Sequence, residues 1–461
     1  VKTPFLGGAY EARSSNLNDQ RCVNLYAEMT APGGREIGAF FGTPGMSEWQ
    51  LLSGQCRGMH VLGSFLYVVM DTTLYKIDED SIVTTLGTVN NTGYVVFADN
   101  VAEIIMATGG TGYLLTTATD TLSTIASNYP TGAKTVTYID GYFVVEEPGT
   151  RQFWQSDLLD GTTWNALNFA SKEGSSDNLV RVIANHRDLW LMGEQTCEVW
   201  YGNGQTSFSF AKNTNAFIEQ GLAAVYSVAV VDGSLVWLGN RGGVFVANAY
   251  TPVRISTPAI EREISSYERV DDAIAWSYFQ EGHHFYVLTF PTVEKTWCFD
   301  ATTKLWHERT SMLDDGSMTR NRANAGANFM DKVIVGDFEN GRLSRLDLDT
   351  YDENGGPLKR LRSWGHINQS GERMFFSQGQ LIAETGVGKD GVQQGDDPQV
   401  MLRWSDDGGH TWSNEHWSSL GRIGRGDYRA IWRRLGESRD RIFELSMTDP
   451  VKVAWMGFEL K

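Results

Sequence analysis

The sequence predicts an all-β protein, and three observations carry that prediction: a composition rich in turn formers and aromatics, a recurring strand–turn–strand unit, and a polar break near residue 350. The 461 residues include 49 Gly, 15 Trp, 17 Tyr and 22 Phe, which supply hairpin turns and flat side chains for sheet faces and leave little room for helix. With 41% hydrophobic and 21% charged residues, the chain has enough apolar surface for a packed core, and disorder is excluded.

The unit first appears in Arg57–Asp78, where an apolar strand, a tight polar turn, a second apolar strand and a third strand follow one another. It returns weakly in Tyr94–Thr116, then in Lys134–Asp157, Val180–Tyr201, Val225–Asn248, Ala275–Asp300 and Ala327–Asp347. Successive starts lie 37 to 52 residues apart, which is the spacing of propeller blades. The pairs Asp140-Gly141 and Asp232-Gly233 suit two-residue hairpins, because glycine accepts the positive φ these turns demand. Ile82–Val89, Thr121–Ile125 and Arg254–Ile260 can serve as fourth strands. One meander cannot bury both its faces, whereas six or seven set radially bury each against its neighbours. The expected fold is therefore a six- or seven-bladed β-propeller, with a long meander or stacked sandwich as its rival.

Asp347–Pro357 is polar, glycine-rich and aperiodic, as a linker is. It divides the chain into an N-terminal extended segment (1–50), a propeller (51–350) and a C-terminal β domain (358–461). Strands at Met374–Phe376, Val400–Ser405, Ala430–Leu435, Arg441–Met447 and Val451–Glu459 make a β-sandwich or jelly-roll-like fold the expectation for the last part.

The net charge of −17 argues against a surface that grips nucleic acid, since such binding is driven by Lys and Arg displacing counterions from phosphates. The acidity is uneven: residues 1–356 carry 24 Lys+Arg against 42 Asp+Glu, and residues 357–461 carry 15 against 14. The propeller part is thus the acidic one. Cys22, Cys56, Cys197 and Cys298 form no close pair, so they read as reduced, buried thiols rather than a zinc knuckle or disulfide framework. The first eight residues have no apolar leader core, and no run approaches the roughly 18 apolar residues of a membrane span. The expected location before any assembly is the cytoplasm.

No catalytic, cofactor-binding or metal-binding constellation is legible. Gly386-Val387-Gly388-Lys389-Asp390-Gly391 spells G-x-G-x-x-G, but no helix can follow to cradle a pyrophosphate, so it is a loop. P-loop, H-E-x-x-H and G-x-S-x-G patterns are absent. None of the eight histidines stands at zinc-ligand spacing, and His283-His284 reads as a turn pair. Asp347, Asp349, Asp352 and Glu353 lack the order of an EF-hand and read as a solvated linker. The span 422–441 holds Arg422, Arg425, Arg429, Arg433, Arg434, Arg439 and Arg441 against three acids. The first five are candidate docking residues for an acidic partner, because Arg makes planar, bidentate contacts with carboxylates. A solvated strand face with internal pairs is the competing explanation.

Ser405-Asp406-Asp407-Gly408-Gly409-His410-Thr411-Trp412 fits the Asp-box pattern S-x-D-x-G-x-T-W. It resembles the repeated hairpin of sialidases and other propellers, where the residues matching Ser405, Asp407, Gly409, Thr411 and Trp412 are structural: the Asp bonds turn amides, the Gly bends and the Trp packs. A sialidase-like hydrolase would need more boxes, an arginine trio and an activated tyrosine.

Arg21-Cys22-Val23-Asn24-Leu25-Tyr26-Ala27-Glu28, then Phe40-Phe41-Gly42-Thr43-Pro44-Gly45-Met46, resembles the opening of the tail hub proteins of short-tailed DNA phages, also called packaged-DNA stabilisation proteins. Leu402-Arg403-Trp404-Ser405, Leu420-Gly421 and Trp432-Arg433-Arg434-Leu435-Gly436 are similar to the end of such proteins. The resemblance implies a hexameric tail nozzle that extends the portal–adaptor channel, retains packaged double-stranded DNA and anchors tail fibres or tailspikes. It implies no catalysis, cofactor or membrane partner. DNA would pass through the lumen without sequence-specific binding, and acidic propeller walls would keep it from sticking. A carbohydrate-active propeller hydrolase and a monomeric propeller binding module are the alternatives.

Overall fold

The computed structural model describes residues 2–30, 33, 36–90, 93–126, 128–205 and 208–461. Seven four-stranded antiparallel blades follow one another around a common axis, six as separate sheets and one as four strands of a larger nine-stranded sheet. Blade one runs from Cys56–Leu62 to Val83–Thr88, blade two from Val96–Asp99 to Thr121–Thr124, and blade three from Val136–Ile139 to Phe169–Ser171. Blade four spans Leu179–Asn185 to Phe210–Ile218, blade five Ala229–Val231 to Thr251–Arg254, and blade six Ile274–Gln280 to Leu305–Glu308. Blade seven takes Ala323–Phe329, Lys332–Asp337 and Arg342–Asp347, and its fourth strand is Gly45–Leu51 from the start of the chain. The first strand of blade seven lies beside that of blade one, so the ring closes. The rival stack of sandwiches is thereby set aside.

Strand periodicity explains the packing. In Phe65–Met70, Leu66, Val68 and Met70 face blade seven, while Tyr67 and Val69 face blade two. Every blade is therefore apolar on both faces, which is why these strands read as continuous hydrophobic runs. Asp140 and Gly141 have φ of 50° and 92°, as a two-residue hairpin requires.

The second domain consists of two sheets packed face to face. Arg360–Asn368, Asp440–Met447, Gln399–Ser405 and His416–Ser419 make one; Ala454–Leu460, Met374–Ala383 and Ile431–Ser438 belong to the other. Phe5, Trp364, Phe443, Trp455 and Phe458 fill the space between them, with Trp364 4.8 Å from Phe5 and 4.9 Å from Phe458 by ring centroid. This is a β-sandwich.

The expected extended segment 1–50 is instead strand-bearing and shared between both domains. Leu25–Met29 and Gly38–Gly42 form a hairpin in the second sandwich sheet. Cys22–Val23 pairs with Glu308 of blade six on one side and with Leu361 and Arg362 on the other, so one nine-stranded sheet runs from propeller into sandwich.

Three local expectations are corrected. Arg254–Ile260 is not a strand: Thr257 caps the helix Pro258–Ser265, whose proline at its start needs no hydrogen-bonded amide, and the fourth strand of blade five ends at Arg254. His283 and His284 open a strand, because the turn is Glu281-Gly282; His283 Nδ1 lies 2.8 Å from Asp300 Oδ2 in the interior. The stretch 347–357 is no solvated linker, since the carbonyls of Thr350 and Asp352 accept from the amides of Gly45 and Met46. Burial pushes the Glu353 carboxyl up to about 7. Among the described residues no group of His, Cys, Asp and Glu is placed to hold a metal ion, and all four cysteines are free and buried.

Candidate docking surfaces

The Asp-box octapeptide forms the turn between Gln399–Ser405 and His416–Ser419, at the edge of the nine-stranded sheet. Ser405 Oγ donates to Asp407 Oδ1 (2.7 Å) and accepts from the Gly409 amide (2.8 Å). Asp407 also accepts from the amide (2.8 Å) and hydroxyl (2.6 Å) of Thr411, and these bonds hold its carboxyl well below the usual range. Gly409 has φ +92°, and Trp412 packs on the Arg403 guanidinium at 4.7 Å. All five residues are spent on the hairpin itself, which offers no reactive group.

The arginine run divides. Arg441 is buried, binds Asp406 through two bonds of 2.6 and 2.8 Å, and donates to the Leu435 and Glu437 carbonyls, so it is a strut of the sandwich. Arg422, Arg425 and Arg429 sit on the exposed loop before Ile431–Ser438, and Arg433 and Arg434 on that strand, also exposed. None of these five is in an ion pair with a described residue; Arg429 hydrogen-bonds Gln380. Ile423 and Tyr428 are exposed among them. Their strand is the edge of its sheet, and a bulge at Arg434 (φ +61°) interrupts its register. Such a bulge discourages edge-to-edge aggregation and leaves side chains to make contacts.

The third surface is a mouth of the propeller axis, where a cavity of about 350 Å³ opens between the starts of the inner strands. Arg57, Tyr94, Lys134, Tyr226, Asp272 and Arg320 line it. Sequence reasoning overlooked it, although Arg57, Tyr94 and Lys134 are the first residues of successive repeats. Burial pushes the Tyr226 phenol up to about 12, and no carboxylate among the described residues hydrogen-bonds Tyr94 or Tyr226. Neither tyrosine of this cavity is thus paired with a carboxylate as a sialidase nucleophile is. Asp272 is engaged by the Thr292 amide (2.9 Å) and hydroxyl (2.6 Å), and Asp271 by Arg269 (2.7 Å).

Close by, Glu146 is 2% exposed and accepts from the amides of Lys134 (2.5 Å) and Thr135 (3.1 Å) and from the Thr135 hydroxyl. Desolvation outweighs these bonds and pushes its carboxyl from 4.5 up to about 7. A raised carboxyl favours the folded protein at low pH: its contribution is whole below about 4.5 and is lost as pH rises through about 7. At about 1.4 kcal/mol per pH unit this amounts to about 3 kcal/mol. Thermal melts from pH 4 to 8 are expected to show the Glu146→Gln chain gaining on the native one as pH rises; a constant difference would refute the assignment.

The model of the bacteriophage P22 Gp10 β-propeller family matches residues 1–351, and that of the bacteriophage P22 Gp10 β-sandwich family matches residues 359–461. No curated protein matches the chain. Similar solved structures include the computationally designed Ika8 protein (14% identity, 71% of this chain and 99% of that one, TM-score 0.39). Others are a chain of the mitotic checkpoint complex (11%, 69% and 97%, 0.43) and YCF48 bound to D1 peptide (13%, 66% and 98%, 0.41). The two family matches cover the chain almost end to end, over the same propeller and sandwich the structure contains. The chain belongs to the bacteriophage P22 Gp10 family and is a non-enzymatic structural protein of a phage tail.

Proposed function

We propose that this chain is the hub or nozzle of a short phage tail: a closed ring of about six copies, resting on the portal–adaptor complex, that retains packaged DNA and anchors fibres or tailspikes. The virion tail is its destination and the host cytoplasm its place before assembly. The observation that carries the proposal is the family match over both domains. Heterologous contacts whose rotation closes generate such rings. The five arginines, in no ion pair with a described residue, have with Ile423 and Tyr428 the composition of a docking face, and residues 1–356, at net −18, would present a wall that repels DNA rather than holding it.

The test is the mass of the purified protein in solution, alone and mixed with the phage's own portal–adaptor complex. A monomer that becomes a ring of about six on the complex is the expected result, and a monomer in both conditions would reject the proposal. Reversing the charge at Arg422, Arg425, Arg429, Arg433 and Arg434 together is expected to weaken ring or adaptor association at least tenfold without lowering the melting temperature. Unchanged association would remove this face from the proposal.

A further inference from the structure

We propose that the axial cavity is a binding site for a carboxylate-bearing peptide residue, gripped by Arg57 and Arg320 and held in register by Asp272. The case begins with donors that have nowhere to go. Arg57 is 2% exposed and Arg320 6%, yet Arg57 Nη2 and Arg320 Nη1, both on cavity-lining residues, make no hydrogen bond with a described residue. The rest of each group is fixed: Arg57 donates to the carbonyls of Gly93, Asp71 and Val89, and Arg320 stacks on Phe338 at 3.7 Å. Neither is in an ion pair with a described residue, and burial pushes Arg320 down to about 10. Unpaired buried donors cost free energy, and the cost is recovered when an oxyanion arrives.

Charge and shape narrow the ligand. The cavity is positive in an acidic protein: Arg57, Lys134 and Arg320 face Asp272, the Arg269–Asp271 pair cancelling itself. Asp272 Oδ1 is also buried without a donor among the described residues. A phosphate dianion would meet that carboxylate with two charges instead of one. A carboxylate whose own chain carries an N–H a few bonds away satisfies both sides, and Tyr94 and Tyr226, packed on each other with ring centroids 5.1 Å apart, offer its carbon stem one shared wall. This inference is independent of ring formation.

The experiment is calorimetric titration of the intact protein with the α-methylamides of N-acetylglutamate and N-acetylglutamine and with inorganic phosphate, repeated with Arg320→Gln and Asp272→Asn. Arg320 is the better target, because Arg57 also braces three carbonyls. The glutamate derivative is expected to bind with millimolar affinity, the glutamine derivative at least tenfold more weakly, and Arg320→Gln to cost at least tenfold. Equal binding of the two derivatives, binding indifferent to Arg320→Gln, preference for phosphate, or no binding at all would each overturn the proposal. A melt of the Arg320→Gln chain that matches the native one keeps loss of binding distinct from loss of fold.

Discussion

Deleting residues 1–51 is expected to abolish cooperative folding of both domains. The segment contributes little mass but completes both the last blade and the sandwich. Gly45–Leu51 is the outer strand of blade seven, with Met46 opposite Leu346 and Leu51 opposite Arg342. Without it the blade keeps three strands and a bare edge, and Leu346 loses Met46 from the core shared with blade six. The sandwich loses two strands of one sheet together with Phe5, Leu25, Ala27 and Phe40, all buried in its core. Full burial of each large side chain is worth about 2 kcal/mol, so the loss reaches the whole stability of an ordinary domain. Circular dichroism melting is the measurement. A truncated chain that still unfolds cooperatively near the native temperature would show the closure to be dispensable. A milder variant isolates the strand: a Cβ on Gly45 would stand 2.3 Å from the Thr350 carbonyl oxygen, so Gly45→Val is expected to destabilise by several kcal/mol with every other residue in place.

Why the blades were legible and their closure was not follows from the range of the interactions. Blades one to six are each built from consecutive segments, so alternation such as Leu66 to Met70 and turns such as Asp140-Gly141 mark them locally. The strand Gly45–Leu51 has no local partner; its pairing becomes evident only when blade seven arrives with three strands. The same holds for Cys22–Val23, two residues too short to announce a strand. The arginine run shows a different limit. Charge alone could not separate Arg441, enclosed by Trp404, Phe376 and Phe443, from the exposed Arg433, although Arg441 stands directly before the apolar Ile442-Phe443. At the axis, Arg57, Tyr94 and Lys134 fall at equivalent places in successive repeats, and superposing the repeats would have collected them. Their unmet hydrogen bonds exist only in three dimensions.

Replacing Arg362 by Met is expected to destabilise the protein by about 4 kcal/mol and to release the N-terminal segment first. Arg362 is fully buried on Arg360–Asn368 with no carboxylate of the described residues bonded to it, and its desolvated guanidinium is pushed down to about 10. Its Nε donates to the Phe5 carbonyl (3.0 Å), Nη1 to those of Gly8 and Arg21 (3.3 Å each), and Nη2 to Gln20 Oε1 (2.7 Å), while the group lies 5.0 Å from the Phe40 ring. One side chain thus fastens four points of a segment that has few strand pairings of its own. Met matches the apolar stem and supplies no donor, leaving these acceptors unsatisfied at about 1–3 kcal/mol each before relaxation and recovered desolvation offset part of the loss. Lys, a point charge without the planar fork, is expected to restore less than half. Denaturant midpoints give the energy, and hydrogen exchange gives the order: amides around 5–23 should open before those of the blades. A loss under 1 kcal/mol, or uniform opening, would mean that Arg362 is a passenger. If the segment does open first, the join at Cys22–Val23 opens with it, and propeller and sandwich lose the one sheet they share.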